Sequence, residues 1–267
     1  MARTRSCETE TVTVRTLQKW HGAGNDFLVD VQDPKEDRTW TPARAKEICA
    51  RATGVGADGL LVAKLGDVVT MTLYNADGSI AEMSGNGARC LAAAVRRTTH
   101  SDFGDLVVRT LAGERVVHVE MASEVAGSGS VDMGEVSFGS NLDGAWGVAN
   151  VGNPHVAVLD DEGWSDAERE ETAAKLAAQM GGANVEFVRL LAPGRLAIRV
   201  IERGVGWTLA CGTGSCAVAA LAKREGHSGD VVEVDNPGGT LRVELDGYRA
   251  RLSGPVRFIA DVEWLEV

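Results

Sequence analysis

Cys211-Gly212-Thr213-Gly214-Ser215-Cys216 places a nucleophile-type side chain ahead of two glycine steps. The run that follows, Ala217 to Arg224, is built of strong helix formers. A cysteine at the start of a helix faces unpaired backbone N–H groups and the positive end of the helix dipole. That setting favours thiolate over thiol and predicts a lowered thiol pKa. It suits a side chain that moves a proton or attacks an electrophile. The competing reading is a buried, inert cysteine ahead of a core helix.

The stretch occurs twice. Ser84-Gly85-Asn86-Gly87, continued to Arg97, lies over Cys211 to Arg224 without a gap, at an offset of 127 residues. Gly85 meets Gly212, Gly87 meets Gly214, and Arg96-Arg97 meets Lys223-Arg224. The likeness continues downstream, where Gly113 to Glu120 resembles Gly239 to Leu245. Two halves built alike predict two similar domains. Facing each other across a pseudo-twofold axis, they would aim two helix N-termini into one cleft. Ser84 would stand on one and Cys211 on the other. A chance likeness of two glycine-rich helix starts is the alternative.

The elements that must position these groups follow from pattern. Thr11 to Trp20 alternates and predicts a strand. His21 to Phe27 reads as a glycine-rich loop, in which Asn25 is equally a turn residue or a ligand contact. Thr41-Pro42 starts a helix over Ala43 to Ala52. Strands are expected at Leu60–Ala63, Val68–Tyr74, Leu106–Thr110 and Arg115–Met121, with the first repeat helix over Gly85 to Thr98. Ser123 to Ser130, polar and glycine-rich, is the expected domain junction. Beyond it, Val148 to Val158 reads as a strand broken at Gly152-Asn153-Pro154-His155. His155 by itself reads more readily as a structural histidine than as a base. Ser165-Asp166-Ala167-Glu168 is a capping-box start for a helix to Met180. Strands at Asn184–Arg189 and Arg195–Ile201 lead to the Cys211 helix. A hairpin follows around Asp246-Gly247, then a break at Gly254-Pro255 and a last strand, Val256–Ala260.

The chain has 267 residues, 44% apolar and 24% charged, a globular composition. A net charge of −11 argues against nucleic acid or an anionic membrane as partner. It does not exclude an anionic substrate, because helix N-termini bind carboxylates locally. No apolar run is long enough to span a membrane. Residues 1–11 read as a disordered tail. Cysteines at 7, 49, 90, 211 and 216 show no CxxC pair, which predicts a reduced, cytoplasmic protein. No His/Cys cluster has zinc spacing, so no metal is expected.

Seven blocks in order then resemble the diaminopimelate epimerase family, within the cofactor-independent amino-acid racemases. They are His21 to Phe27, Tyr74 to Ser79, Ser84 to Cys90, Gly152 to His155, Asn184 to Glu186, Glu202 to Gly204 and Ala210 to Gly214. The resemblance spans Leu17 to the C-terminus. It implies an α/β (α+β) fold of two similar domains, each a curled, mostly antiparallel sheet or barrel around a central helix. The boundaries would be 12–127 with a C-terminal strand 256–267, and 128–255. It implies interconversion of LL- and meso-diaminopimelate in lysine biosynthesis, by removal of the α-proton on one face and its return on the other. No cofactor is implied, and a homodimer is. Cys211 and Ser84 would be the catalytic pair. Asn25, Asn75, Asn153, Asn184, Glu202 and Arg203 would hold the substrate, with Arg203 on the distal carboxylate and Glu202 on the distal ammonium. The reacting carboxylate would lie on the N–H groups of Gly85-Asn86 and Gly212-Thr213, which would stabilise the developing charge.

Two positions depart from the family pattern. Cysteine is usual where Ser84 stands. A hydroxyl is a weaker acid than a thiol by at least about five pKa units, on the order of 7 kcal/mol. Ser84 can therefore donate a proton or hold a water, but is a poor base. An engineered exchange, a natural branch with an adapted site, and a one-base reaction such as dehydration all fit it. A racemase of proline derivatives or histidine, and a binding protein with a decayed catalytic pair, remain the alternative functions. The second departure is Trp207, where the family usually has an acidic residue; packing is the expected role.

Overall fold

The computed structural model describes residues 13–266 except 37, 103, 161 and 162. The expected tail 1–11 and the first two residues of the first expected strand lie outside that range. In chain order the first half holds β1 (Thr13–Gly22), β2 (Asn25–Gln32), α1 (Pro42–Cys49), β3 (Gly59–Lys64), β4 (Val69–Asn75), β5 (Ile80–Ala81), α2 (Gly85–Thr99), β6 (Asp105–Thr110), β7 (Gly113–Met121) and β8 (Ala126–Glu135). After the short β9 (Ser137–Phe138) come β10 (Gly147–Asn150), β11 (Pro154–Leu159), α3 (Asp166–Gln179), β12 (Asn184–Ala192), β13 (Arg195–Glu202), β14 (Gly206–Thr208), α4 (Gly212–Arg224), β15 (Val231–Asn236), β16 (Gly239–Asp246) and β17 (Arg249–Glu266).

The pairings repeat as the sequence does. β1 pairs antiparallel with β2, β2 parallel with β3 across α1, β3 antiparallel with β4, and β4 parallel with β6 across α2. The same pattern links β10, β11, β12, β13 and β15 across α3 and α4. In the first half β7 and β8 complete the sheet, and β17 closes it by pairing with both β8 and β1. In the second, β16, β17 and β8 do so, with β9 joining β10. Each half is thus a closed ring of strands, and the long strands β8 and β17 belong to both.

A helix runs through each ring. α2 is buried from Gly85 to Val95 and α4 from Gly212 to Ala222. A helix buried all round is mostly apolar, although α2 also buries Asn86 and Arg89 and α4 buries Thr213 and Ser215. Such a helix must also be thin, because strands approach it on every side. Ala88, Ala92, Ala93 and Ala94, and Ala217, Ala219, Ala220 and Ala222, are essentially unexposed and meet that demand. The strands supply the larger groups, such as Leu61, Val117, Val131, Leu196, Val234 and Leu252. Along β7 the alternation is plain: Val117 and Val119 point inward while His118 and Glu120 are exposed.

Several local expectations are corrected. The loop over His21 to Phe27 is only Ala23-Gly24, at φ 52° and 83°. Positive φ at both positions is what a two-residue hairpin demands, so His21, Gly22 and Asn25 are ladder residues. The expected junction, Ser123 to Ser130, is not an irregular stretch, because from Ala126 it is part of β8, which pairs with β7 and β17. Its glycines mark close approach: a Cβ at Gly129 would lie 2.9 Å from the His118 carbonyl oxygen and 3.3 Å from Arg89 Cδ. Gly254-Pro255 does not break β17. Strand β16 pairs only up to Ser253 and β1 only from Arg257, so the proline falls where β17 changes neighbour. Strand β15 carried a weaker signal and is an addition. The helix start at Thr41 and the Ser165–Glu168 capping box are as expected. Trp207 packs: its Nε1 donates to Glu170 Oε1 at 2.8 Å, and the Arg199 guanidinium lies 4.3 Å over its ring. No helix among the described residues is long and apolar enough to cross a membrane.

Because β8 is packed on both sides, Gly129→Ala should destabilise the protein by about 1–3 kcal/mol. Urea unfolding followed by circular dichroism measures it; an unchanged midpoint would mean that the strands have room to part.

Candidate active site

The two helix starts meet. A Cβ on Gly85 would lie 2.5 Å from Leu252 Cδ2, and one on Gly212 would lie 2.8 Å from the same atom. The Gly212 position is also 3.6 Å from the Asn86 backbone nitrogen. Asn86 ties the junction, donating to Asn25 Oδ1 at 3.3 Å and to the Ala210 carbonyl at 3.5 Å. Its Oδ1 accepts from the buried Arg89 at 2.8 Å.

Ser84 and Cys211 are the N-caps of α2 and α4. Ser84 Oγ accepts from Gly87 N at 3.0 Å and Cys211 Sγ from Gly214 N at 3.3 Å. Helix N-termini leave their first N–H groups without intrahelical acceptors. Each cap satisfies one of them. The Cys211 backbone is held from behind: its N–H donates to Asn236 Oδ1 at 3.3 Å, and its carbonyl accepts from Ser215 Oγ at 2.8 Å.

A cavity of about 350 Å³ opens at this junction, and both Ser84 and Cys211 line it. Of the residues expected from sequence, Asn25, Asn75, Asn153, Asn184, Glu202, Arg203 and Thr213 line it too. Gly85, Asn86 and Gly212 sit behind the wall, with the Asn86 side chain committed to the helix junction. Asn184 Oδ1 accepts from the Arg203 backbone at 2.8 Å, which orders the loop carrying Arg203. Thr208 Oγ1 donates to Glu202 Oε1 at 2.6 Å.

Asp58 was missed by sequence reasoning. It lines the cavity and accepts from Asn25 Nδ2 at 2.8 Å, while Arg51 bridges it to Asp26 at 2.7 and 2.6 Å. Its signal was weak, an aspartate in a turn-like Gly-Ala-Asp-Gly. His155 and Glu186 were seen as motif residues without a site role. Both are fully buried, and His155 Nδ1 lies 2.7 Å from Glu186 Oε1.

The electrostatics of Cys211 overturn the expected lowered pKa. Burial pushes the thiol well above its ordinary value, and the Glu202 and Glu186 carboxylates push it further; hydrogen bonds from Thr213 and the Gly214 N–H oppose them. The helix-terminus effect is about 0.3–1 kcal/mol at an exposed site. Desolvation of a charge amounts to several kcal/mol. With Cys211 only 4% exposed, burial wins. Burial likewise raises the Glu202 carboxyl, against the Thr208 hydrogen bond.

The sequence profile of a family described as diaminopimelate epimerase matches residues 17–139 and 147–259. The chain is 37% identical to a diaminopimelate epimerase of Streptomyces coelicolor, over 93% of this chain and 96% of that one. It is 36% identical to one from Desulforudis audaxviator, over 92% and 98% respectively. Among solved structures it resembles a predicted epimerase from Pseudomonas aeruginosa (TM-score 0.74, 16% identity, 95% of this chain and 100% of that one). It also resembles a hydroxyproline epimerase from Agrobacterium vitis with bound trans-4-hydroxy-L-proline (TM-score 0.71, 14% identity, 94% and 91%). At those identities the structures bear on fold, and the fold agrees.

A raised thiol pKa means that little thiolate exists near neutral pH without ligand. Alkylation of Cys211 by iodoacetamide should be slower at pH 7 than that of a free thiol, and should keep rising beyond the ordinary thiol pKa of about 8.5. Mass spectrometry of the Cys211 peptide measures it. A rate levelling off below that pH would mean that the helix terminus outweighs burial.

Proposed function

Since the chain belongs to the diaminopimelate epimerase family and is an epimerase interconverting LL- and meso-diaminopimelate, we propose that Cys211 and Ser84 serve the two faces of the α-carbon. The observation that carries this reading is that both side chains cap converging helices and line one cavity. A small amino acid suits the cavity volume. Its α-carboxylate would sit on the unpaired N–H groups of the two helix starts, where charge developing at the α-carbon is stabilised most. Arg203 would pair with the distal carboxylate and Glu202 with the distal ammonium. Asn25, Asn75, Asn153 and Asn184 would supply the remaining polar contacts. A reduced compartment, the cytoplasm, fits the free Cys49, Cys90, Cys211 and Cys216.

Cys211 would take the α-proton from its face, a strong base once the thiol is deprotonated. Ser84 would return a proton on the other face. The reverse step asks a hydroxyl to act as base, and the forward step ends with that hydroxyl deprotonated. Both directions are therefore slowed together, since their ratio is fixed by equilibrium. Exchange with solvent on the Cys211 face needs no help from Ser84.

In deuterium oxide, the isomer whose α-hydrogen faces Cys211 should exchange at least about tenfold faster than it inverts, and Cys211→Ala should lower that exchange by at least about a hundredfold. Ser84→Cys should raise inversion in both directions. NMR of each stereoisomer, incubated separately, measures all three. Exchange unaltered in Cys211→Ala would falsify the assignment of the base.

A further inference from the structure

Behind the junction of the two helix starts lies a cation with no anionic partner. Arg89, one turn into α2, is fully buried. Its Nη1 donates to the Gly85 carbonyl at 3.3 Å and its Nη2 to Asn86 Oδ1 at 2.8 Å. Its Nε has no acceptor among the described residues. No carboxylate among them pairs with it, and the titratable groups close to it are the thiols of Cys90 and Cys216. Burial pulls its pKa down to about 10, so the guanidinium keeps its charge at neutral pH.

Room for this group is built into three strands, each of which meets it with a glycine. A Cβ at Gly254 on β17 would lie 2.8 Å from Arg89 Nη2, one at Gly22 on β1 3.4 Å from the same atom, and one at Gly129 on β8 3.3 Å from Cδ. The second half makes no such provision. At the 127-residue offset of the repeat, Arg89 corresponds to Cys216, a buried thiol in the matching helix. A ring of the same plan therefore closes with a small neutral side chain at that place, and the fold by itself asks for no cation there. A buried charge without a partner costs desolvation that nothing in the chain offsets. It calls for an anion from outside the chain.

Asn86 links the charge to the junction. Arginine only donates, so the Asn86 side-chain oxygen must face Arg89. A backbone carbonyl only accepts, so the Asn86 NH₂ must face Ala210, 3.5 Å away. The two requirements agree and fix the amide from both ends. The same NH₂ reaches Asn25 Oδ1, on the cavity wall, at 3.3 Å. The Asn86 backbone nitrogen is 3.6 Å from the Cβ position of Gly212, where α4 begins. The guanidinium thus stands one side chain behind the place where the two helix starts converge. We propose that Arg89 is the standing counter-charge for the substrate's α-carboxylate, a positioning residue that acts through Asn86 and the first turn of α2 without touching the substrate. The inference rests on the proposed placement of that carboxylate, but its dependence on charge is readable with a simpler carboxylate.

Acetate is the probe. Titrated into the unmutated protein and followed by ¹H–¹⁵N NMR, it should shift the amides of Gly85, Asn86, Gly212 and Thr213 together. Arg89→Met removes the charge and keeps an unbranched side chain. Its affinity for acetate should fall about tenfold, and KM for diaminopimelate should rise about as much while kcat changes by less than about threefold. Arg89→Lys restores the charge and should hold acetate affinity and KM within about threefold of the unmutated protein. A merely structural arginine would not rank lysine above methionine in acetate affinity. Acetate affinity and KM unchanged in Arg89→Met overturn the proposal. So does a loss of about tenfold in Arg89→Lys, a result that holds even where Arg89→Met does not fold. Absence of epimerisation by the unmutated protein counts against the substrate reading alone and leaves the acetate comparison standing.

Discussion

Two rings of strands each close around a helix, and the bore admits only a helix of small side chains. Everything at the site descends from that confinement. Each helix is buried from its first residue and reaches solvent only at its last turn, so its first N–H groups must find partners inside the protein. Each must be capped, and the caps are Ser84 and Cys211. The structural need for a cap and the proposed proton-moving role fall on one residue in each half. Leu252, on the strand common to both rings, is touched from both sides and keeps the two first turns together.

Burial then reverses a simple expectation. A helix N-terminus by itself favours a thiolate, but its contribution is small beside the cost of charge in a closed site. Glu202 and Glu186 add to that cost. Tight enclosure thus keeps the Cys211 thiol protonated in the free protein. A substrate ammonium entering beside the thiol would oppose that cost and raise the share of thiolate.

The halves share one plan but not one chemistry. Beside the Ser84 cap the first half places Leu61, and beside the Cys211 cap the second places Glu186. Backbone pairings are preserved between halves because ladder hydrogen bonds and the helix bore tolerate little change. Side chains beneath the helix starts are under no such restraint.

Local signals in the chain were enough for the repeat, the two capped helices and most strands, because glycine spacing, alanine runs and caps act over a few residues, whereas the four cavity-lining asparagines, Asn25, Asn75, Asn153 and Asn184, were legible only through the family resemblance. Local signals could not reveal that the glycines of the 123–130 stretch mark close packing within a strand, since Gly127 and Gly129 are constrained by β7 and Arg89. Nor could they reveal that Pro255 sits where β17 changes neighbour. The sign of the Cys211 shift, the place of Asp58 and the His155–Glu186 pair emerged only from the folded arrangement. Each depends on what distant strands bring within a few ångströms of one atom, and burial and charge act through space rather than along the chain.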